Sequence, residues 1–205
     1  MNALKRTLSA LGVTAVAVAL AGCITLLPDE KPAQLYRFDG NVRPAAASTA
    51  TQFTVARLGG SFVQAAANDR ILTLTDSRAA YLADSRWVSP ASVLFNEALS
   101  RAFDADTGPA RLLTRGDFSK ADYVLRVDVT QFETTYDQGA RAAPEIVVSL
   151  RATLIGADRA LAGSRHFEAR VRARDNRVSA IVAAYDEAVG QALGELVAWT
   201  NNKGV

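Results

Sequence analysis

Three stretches in the second half of the chain alternate between apolar and polar residues with period two. In Tyr123–Thr130 the residues Tyr123, Leu125, Val127 and Val129 share one face, and Arg126, Asp128 and Thr130 the other. In Glu145–Ile155 the apolar set is Ile146, Val148, Leu150, Ala152 and Leu154, opposite Glu145, Ser149, Arg151 and Thr153. In Arg165–Arg174 the inward set is Phe167, Ala169, Val171 and Ala173, and His166, Glu168, Arg170, Arg172 and Arg174 point outward. Three such strands in succession predict an antiparallel meander with one solvated face. Its apolar face needs a cover, and the pattern supplies one from about Arg177 to Thr200. There Val178, Ile181, Val182, Tyr185, Val189, Ala192, Leu193, Leu196 and Val197 recur at helical period.

The first half carries shorter signals. Leu35–Phe38 and Phe53–Arg57 read as strands, separated by an Ala/Ser/Thr-rich loop over Asn41–Thr51; Gly59-Gly60 breaks the second strand. Arg70–Thr75 and Ala79–Ala83 read as a hairpin turning at Asp76-Ser77. At Ser89-Pro90 the period changes. Serine before proline predicts an N-cap followed by the first helical residue, and Ala91, Leu94, Phe95, Ala98 and Ala102 form an apolar stripe ending near Phe103. The expected fold is α/β of the α+β type: a mainly antiparallel sheet with two principal helices packed on one face, in a single domain.

The amino end follows a different pattern. Lys5 and Arg6 precede an uncharged apolar run from Leu8 to Leu20, and Leu20-Ala21-Gly22-Cys23 closes it with small residues before a cysteine. The run is short for a bilayer span, which needs about 20 apolar residues, and it leads straight into Pro28-Asp29-Glu30-Lys31. A cleaved leader therefore fits better than a permanent transmembrane helix. This organises the chain as a signal peptide over 1–22, a new terminus and tether over 23–33, and a folded domain over 34–205. The ten residues after Cys23 reach at most about 35 Å when extended.

The leader also alters the charge balance. It holds two of the 23 basic residues and none of the 21 acidic ones, so the remainder has 21 of each. A neutral domain lacks the basic footprint of a nucleic-acid binder. Cys23 is the single cysteine, so no intrachain disulfide can form. His166 is the single histidine and sits on an outward strand face. The chain has no G-x-S-x-G elbow, glycine-rich phosphate loop or H-E-x-x-H pair. Asp104–Gly108 starts like a calcium loop but meets Arg115 where the closing acid belongs, so it reads as a helix-ending turn. No catalytic, metal or cofactor site emerges from this inventory.

Two features remain as candidate partner surfaces. Arg170, Arg172 and Arg174 lie in a row that can meet an acidic partner or lipid phosphates, or can be balanced by Glu145, Glu168 and Asp175. Tyr81 and Trp87 flank the start of the first helix, either as partner anchors or as packing for that helix. Trp199, near the end of the last helix, reads as the edge of the core.

Leu20–Cys23 resembles the lipobox recognised by signal peptidase II. The resemblance implies that Cys23 becomes residue one with a thioether-linked diacylglycerol and an N-acyl chain. Several acyl chains hold a protein stably on a membrane where one is marginal. Ile24 is not the aspartate associated with retention at the inner membrane, so the periplasmic side of the outer membrane is the expected location.

The wider chain resembles the ABC-type transport auxiliary lipoprotein family. The residues that carry this are the lipobox, Leu35-Tyr36, Asn68-Asp69-Arg70-Ile71, Ala80-Tyr81-Leu82, Arg86-Trp87 with Ser89-Pro90, Leu94, Leu99–Phe103, Ala121-Asp122-Tyr123 and Ala198-Trp199. Arg37-Phe38 departs from the usual pattern after the tyrosine. The resemblance implies a non-enzymatic accessory working with an ABC permease, an ATPase and an MCE-domain protein that conducts lipids. The other class to weigh is a structural lipoprotein of an outer-membrane assembly or secretion machine. Mass spectrometry of the mature amino terminus tests the anchor: the terminal peptide is expected to begin at Cys23 with the mass of three acyl chains, and an unmodified Cys23 would undo it.

Overall fold

Among the described residues, eight strands and two long helices follow one another in the order β1 (Gln34–Tyr36), β2 (Phe53–Leu58), β3 (Arg70–Thr75), β4 (Arg78–Trp87), α1 (Ala91–Ala105), β5 (Ala110–Leu112), β6 (Tyr123–Thr135), β7 (Glu145–Gly156), β8 (Leu161–Arg172) and α2 (Val178–Asn201). This computed structural model describes residues 32–42, 50–114, 116–117 and 120–203. Cys23, the leader, the tether up to Lys31, residues 43–49 of the expected loop and Arg115 lie outside the described residues. None of the helices described is long and apolar enough to cross a membrane.

The meander forms as the alternation requires. β6, β7 and β8 pair antiparallel along almost their whole lengths, from Tyr123↔Gly156 to Thr135↔Glu145 and from Glu145↔Arg172 to Ile155↔Leu161. Leu125, Ile146, Val148, Leu150, Leu154 and Phe167 are all buried on the face that meets the helices. A bulge between Val129 and Gln131 shifts the alternation by one, so Phe132 and Thr134 continue the inward row. The opposite face is only partly wet. Val147 and Ser149 are buried there, each flanked across the strands by longer polar side chains.

The second edge of β6 is paired differently. β2 runs parallel to its first half, β3 parallel to its end, and Phe62 makes an isolated parallel bridge to Val129 between them. β5 extends the β2 side, also parallel, while β4 pairs antiparallel with β3 and then takes β1 in parallel. The long ladders are thus antiparallel, as expected, and the short ones are parallel. The sheet divides into two arms at Gly59-Gly60. A Cβ on Gly60 would stand 1.8 Å from the Val127 carbonyl oxygen, so only glycine lets the chain pass so close to β6.

Both helices lie where the stripes predict. α2 buries Ile181, Tyr185, Val189, Leu193, Leu196 and Val197 against the meander, and Trp199 closes the core edge with a T-shaped contact to Phe167. α1 buries Leu94, Phe95, Ala98, Leu99 and Phe103. Its start differs from expectation: the cap is Pro90, with Ala91 the first helical residue and no capping side chain. Instead the Ala91 and Ser92 amides donate to the Asn68 and Ala67 carbonyls, so a distant segment satisfies the helix end. Asp104–Gly108 is the helix-ending turn expected, tied down where Asp106 accepts from the Gly108 amide and the Asn201 carboxamide.

The crossover from β2 toward β3 is pinned by Asp128. Its carboxylate accepts from the Ser61 amide and hydroxyl, each at 2.8 Å, and from Arg126 at 2.9 and 3.0 Å. The Arg126 contact leads in holding its pKa at about 2, below the ordinary carboxylate range. A depressed pKa stabilises the fold above about pH 4, and that share is lost as pH falls through about 2. Asp128→Asn is expected to cost about 2 kcal/mol at neutral pH in urea unfolding and to flatten the acid limb of stability below pH 4. An unchanged acid limb would show that this carboxylate does not pin the crossover.

Candidate functional site

The segments singled out around the first helix converge in space. The Asp69 carbonyl accepts from the Trp87 amide at 2.7 Å and its carboxylate takes the Arg86 guanidinium at 2.8 Å. The Ser92 hydroxyl donates to the Ala67 carbonyl at 3.0 Å, beside the amide bonds that cap α1. Tyr81 donates its hydroxyl to the Ala65 carbonyl at 3.1 Å, and the Arg70 guanidinium stands 5.1 Å from the centre of its ring. Asn68–Ile71, Tyr81 and Arg86–Pro90 therefore form one device that seats the β3–β4 hairpin on the start of α1.

That geometry separates the two aromatic candidates. Trp87 is 2% exposed, with its ring edge-to-face against Phe38 at 5.0 Å and Tyr185 at 5.2 Å. A ring enclosed in this way offers nothing to a partner, so Trp87 leaves the candidate surface and serves helix-start packing. Tyr81 stays open to solvent at 41%, as do Leu35 on β1 and Val88 and Val93 around Pro90. These apolar groups are what this end of the domain presents outward.

The arginine row is brought together only in part. Arg170 pairs with Glu168 at 2.7 Å and Glu145 at 3.3 Å; Arg172 pairs with Asp137 at 2.8 Å and Glu145 at 3.3 Å. Ser149, buried beneath this face, donates between Gln131 and Glu168. Arg174 lies beyond the end of β8 and makes no ion pair among the described residues. Asp175 pairs with Arg177 instead of with the row. The arginine hydrogen bonds favour the charged forms of Asp137 and Glu168, whose pKa values are shifted down first by those bonds. A face whose two central cations are already matched has little uncompensated charge for an acidic partner. His166 stands on the same face, half exposed and 3.9 Å from Glu168. No cluster of His, Cys, Asp or Glu among the described residues is arranged to hold a metal.

A polar clamp holds the first segment of the domain. After β1 the chain buries Phe38 and then passes between the helices as a strap: a Cβ on Gly40 would meet Val189 of α2 at 2.6 Å and Ala98 of α1 at 3.2 Å. Asp186 accepts from the Asp39 amide at 2.7 Å and the Gly40 amide at 2.8 Å. Arg101 donates to the Asp39 carbonyl at 3.0 Å, while Arg37 bridges Asp39 and Glu97. Gly40 has φ of +62°, which glycine adopts without strain.

The model of the ABC-type transport auxiliary lipoprotein component family matches residues 37–197, from this strap to the last turns of α2. The chain belongs to that family. Among solved structures, protein XCC0632 from Xanthomonas campestris superposes with a TM-score of 0.73 at 24% identity, over 83% of this chain and 96% of that one. An uncharacterized protein does so with a TM-score of 0.65 at 14% identity, over 83% and 99%. At these identities the likeness is one of fold. No curated protein matches the chain.

In this auxiliary lipoprotein the clamp is the feature that sequence reasoning missed. Asp186 looks like any polar position on a helix, and only the path of the strap gives it two amides to satisfy. Arg37-Phe38, the departure after the tyrosine, acquires a role in the same way: the phenylalanine fills the core and the arginine joins the clamp. Asp186→Ala is expected to lower stability by about 2 to 3 kcal/mol, because two amides lose their acceptor. Asp186→Asn keeps an acceptor oxygen and should cost about 1 kcal/mol. Chemical denaturation compares the two, and equal losses would show that the amide bonds are not what Asp186 contributes.

Proposed function

We propose that this auxiliary lipoprotein is a non-catalytic periplasmic component of an ABC transport system, anchored through acylated Cys23 to the outer membrane and partnered by an MCE-domain protein that carries lipid. The observation that carries the reading is the family match over residues 37–197 in a chain whose Cys23 closes a lipobox-like leader. The clamp supports it, since it fastens the chain between the two helices within a few residues of the tether. A domain fastened so near its anchor stays close to the membrane while its far surfaces meet a partner. The expected anchor chemistry is the covalent diacylglycerol and N-acyl chain, with no other cofactor.

Two measurements test this. Membrane fractionation should place the unaltered chain with the outer membrane and release Cys23→Ser from it; recovery of both in the same fraction would overturn the anchor. Capture of the chain from cross-linked cells should bring down a permease, an ATPase and an MCE-domain protein together. Recovery of the permease and ATPase without an MCE-domain protein would remove the lipid-carrying partner from the proposal.

A further inference from the structure

Among the described residues, most of the large apolar side chains left exposed stand at one edge of the sheet: Leu35, Tyr81, Val88 and Val93, with Leu58 and Leu161 elsewhere. Single exposed apolar groups are ordinary on a soluble domain, so what matters is whether these adjoin. Three of them do. Trp87 turns inward, and by strand period Arg86 and Val88 turn outward on either side of it. Leu35 is the β1 partner of Arg86, and the Val88 amide donates to the Tyr36 carbonyl at 2.8 Å, so Leu35 and Val88 are diagonal neighbours on the face away from the helices. Arg37, next along the chain, reaches Glu97 of α1 at 3.3 Å, and Val93 lies one turn before Glu97 on the same side of α1. Leu35, Val88 and Val93 thus ring one corner of the domain.

Two things identify what covers this corner. The first is size. Three side chains fall far short of the ~1,000 Å² that a stable contact between proteins buries, so neither a second copy nor a separate partner is held by them. The second is where the rest of the chain joins. β1 begins at Gln34, eleven residues after Cys23, so whatever holds Cys23 is always within reach of Leu35. A short link raises the effective concentration of the surface at its far end to about the millimolar range, where a contact too weak to form between free molecules is occupied. The guanidiniums around the corner are already matched, Arg37 to Asp39 and Glu97, and Arg86 to Asp69. The corner therefore offers apolar contact and not charge.

We infer that this corner rests on the membrane that holds Cys23, with Leu35, Val88 and Val93 dipping into the boundary between lipid headgroups and acyl chains. β1 and β8 are opposite edges of the sheet, five strand spacings of about 4.8 Å apart along β1-β4-β3-β6-β7-β8. Contact at the β1 corner turns β8 and its arginine row away from the bilayer, toward the side where a partner arrives. The inference rests on the Cys23 anchor and goes beyond it, since an anchor alone leaves the domain free to tumble on its tether.

The test uses the full chain purified with its acyl chains and reconstituted in vesicles of phosphatidylethanolamine with a minority of phosphatidylglycerol. An acylated Cys23 has no free thiol, so the unaltered chain should take up no thiol-reactive dye, and Leu35→Cys, Val88→Cys, Val93→Cys and Leu161→Cys each give one labelled site. A nitrobenzoxadiazole dye at position 35, 88 or 93 is expected to shift to the blue. Phospholipid carrying a nitroxide on its acyl chain should quench it several-fold more than the same dye at position 161, although Leu161 is the most exposed of these side chains at 66%. Leu35→Asp with Val88→Asp should bring the dye at position 93 down to the level at 161. Equal quenching at all four positions, or none, in a chain whose Cys23 takes no dye would overturn the corner and leave the anchor standing. Dye on Cys23 of the unaltered chain would overturn the anchor and this assignment with it. Shielding of positions 35, 88 and 93 without vesicles, growing with protein concentration, would give the corner to a second copy and overturn the lipid contact.

Discussion

Strand β6 has to satisfy both of its edges at once, and the rest of the architecture depends on how it does so. One edge takes β7 in a long antiparallel ladder. The other is shared by β2, Phe62 and β3, three parallel pieces of one continuous run of chain. Gly60 is where that run touches the β6 backbone most closely, and Asp128, on β6 itself, receives the Ser61 amide just beyond it. Because β2 and β3 diverge there, the sheet has two arms. One arm ends early at β5; the other carries the hairpin that seats α1.

The helices are joined to this sheet through one aromatic cluster. Phe38, Trp87, Phe132 and Tyr185 come from the strap, β4, β6 and α2, with ring centres about 5 Å apart. Tyr185 is fully buried, burial pushes its phenol pKa up, and its hydroxyl is within 3.2 Å of that of Thr134. No buried side-chain polar atom among the described residues lacks a partner. The clamp on Asp186 keeps Phe38 in this cluster, so the first segment of the described chain is also part of the core.

Much of the fold was legible in the sequence because amphipathic period is a local signal. The meander, the two helices, the turn at Asp76-Ser77 and the break at Gly59-Gly60 all announce themselves within a few residues. The signals that misled were also local. Ser89-Pro90 has the form of a helix cap, yet Asn68 and Ala67 carbonyls reach the free amides first, and the start moves by one residue. Trp87 was legible only as one of two things, a partner anchor or packing for the helix start, and the side of β4 it occupies decided for packing.

The sequence by itself determined which stretches alternate, which faces are apolar and that the chain has a single cysteine. These follow from the order of side chains and the two backbone periods. Tertiary structure alone decided that β6 is flanked by parallel strands on one edge, that Arg170 and Arg172 meet carboxylates across neighbouring strands, and that Asp186 receives the strap. Each of those depends on residues far apart in the chain brought within a few ångströms. Pairing partners, charge balance and open space are properties of distance in space, and no local period encodes them.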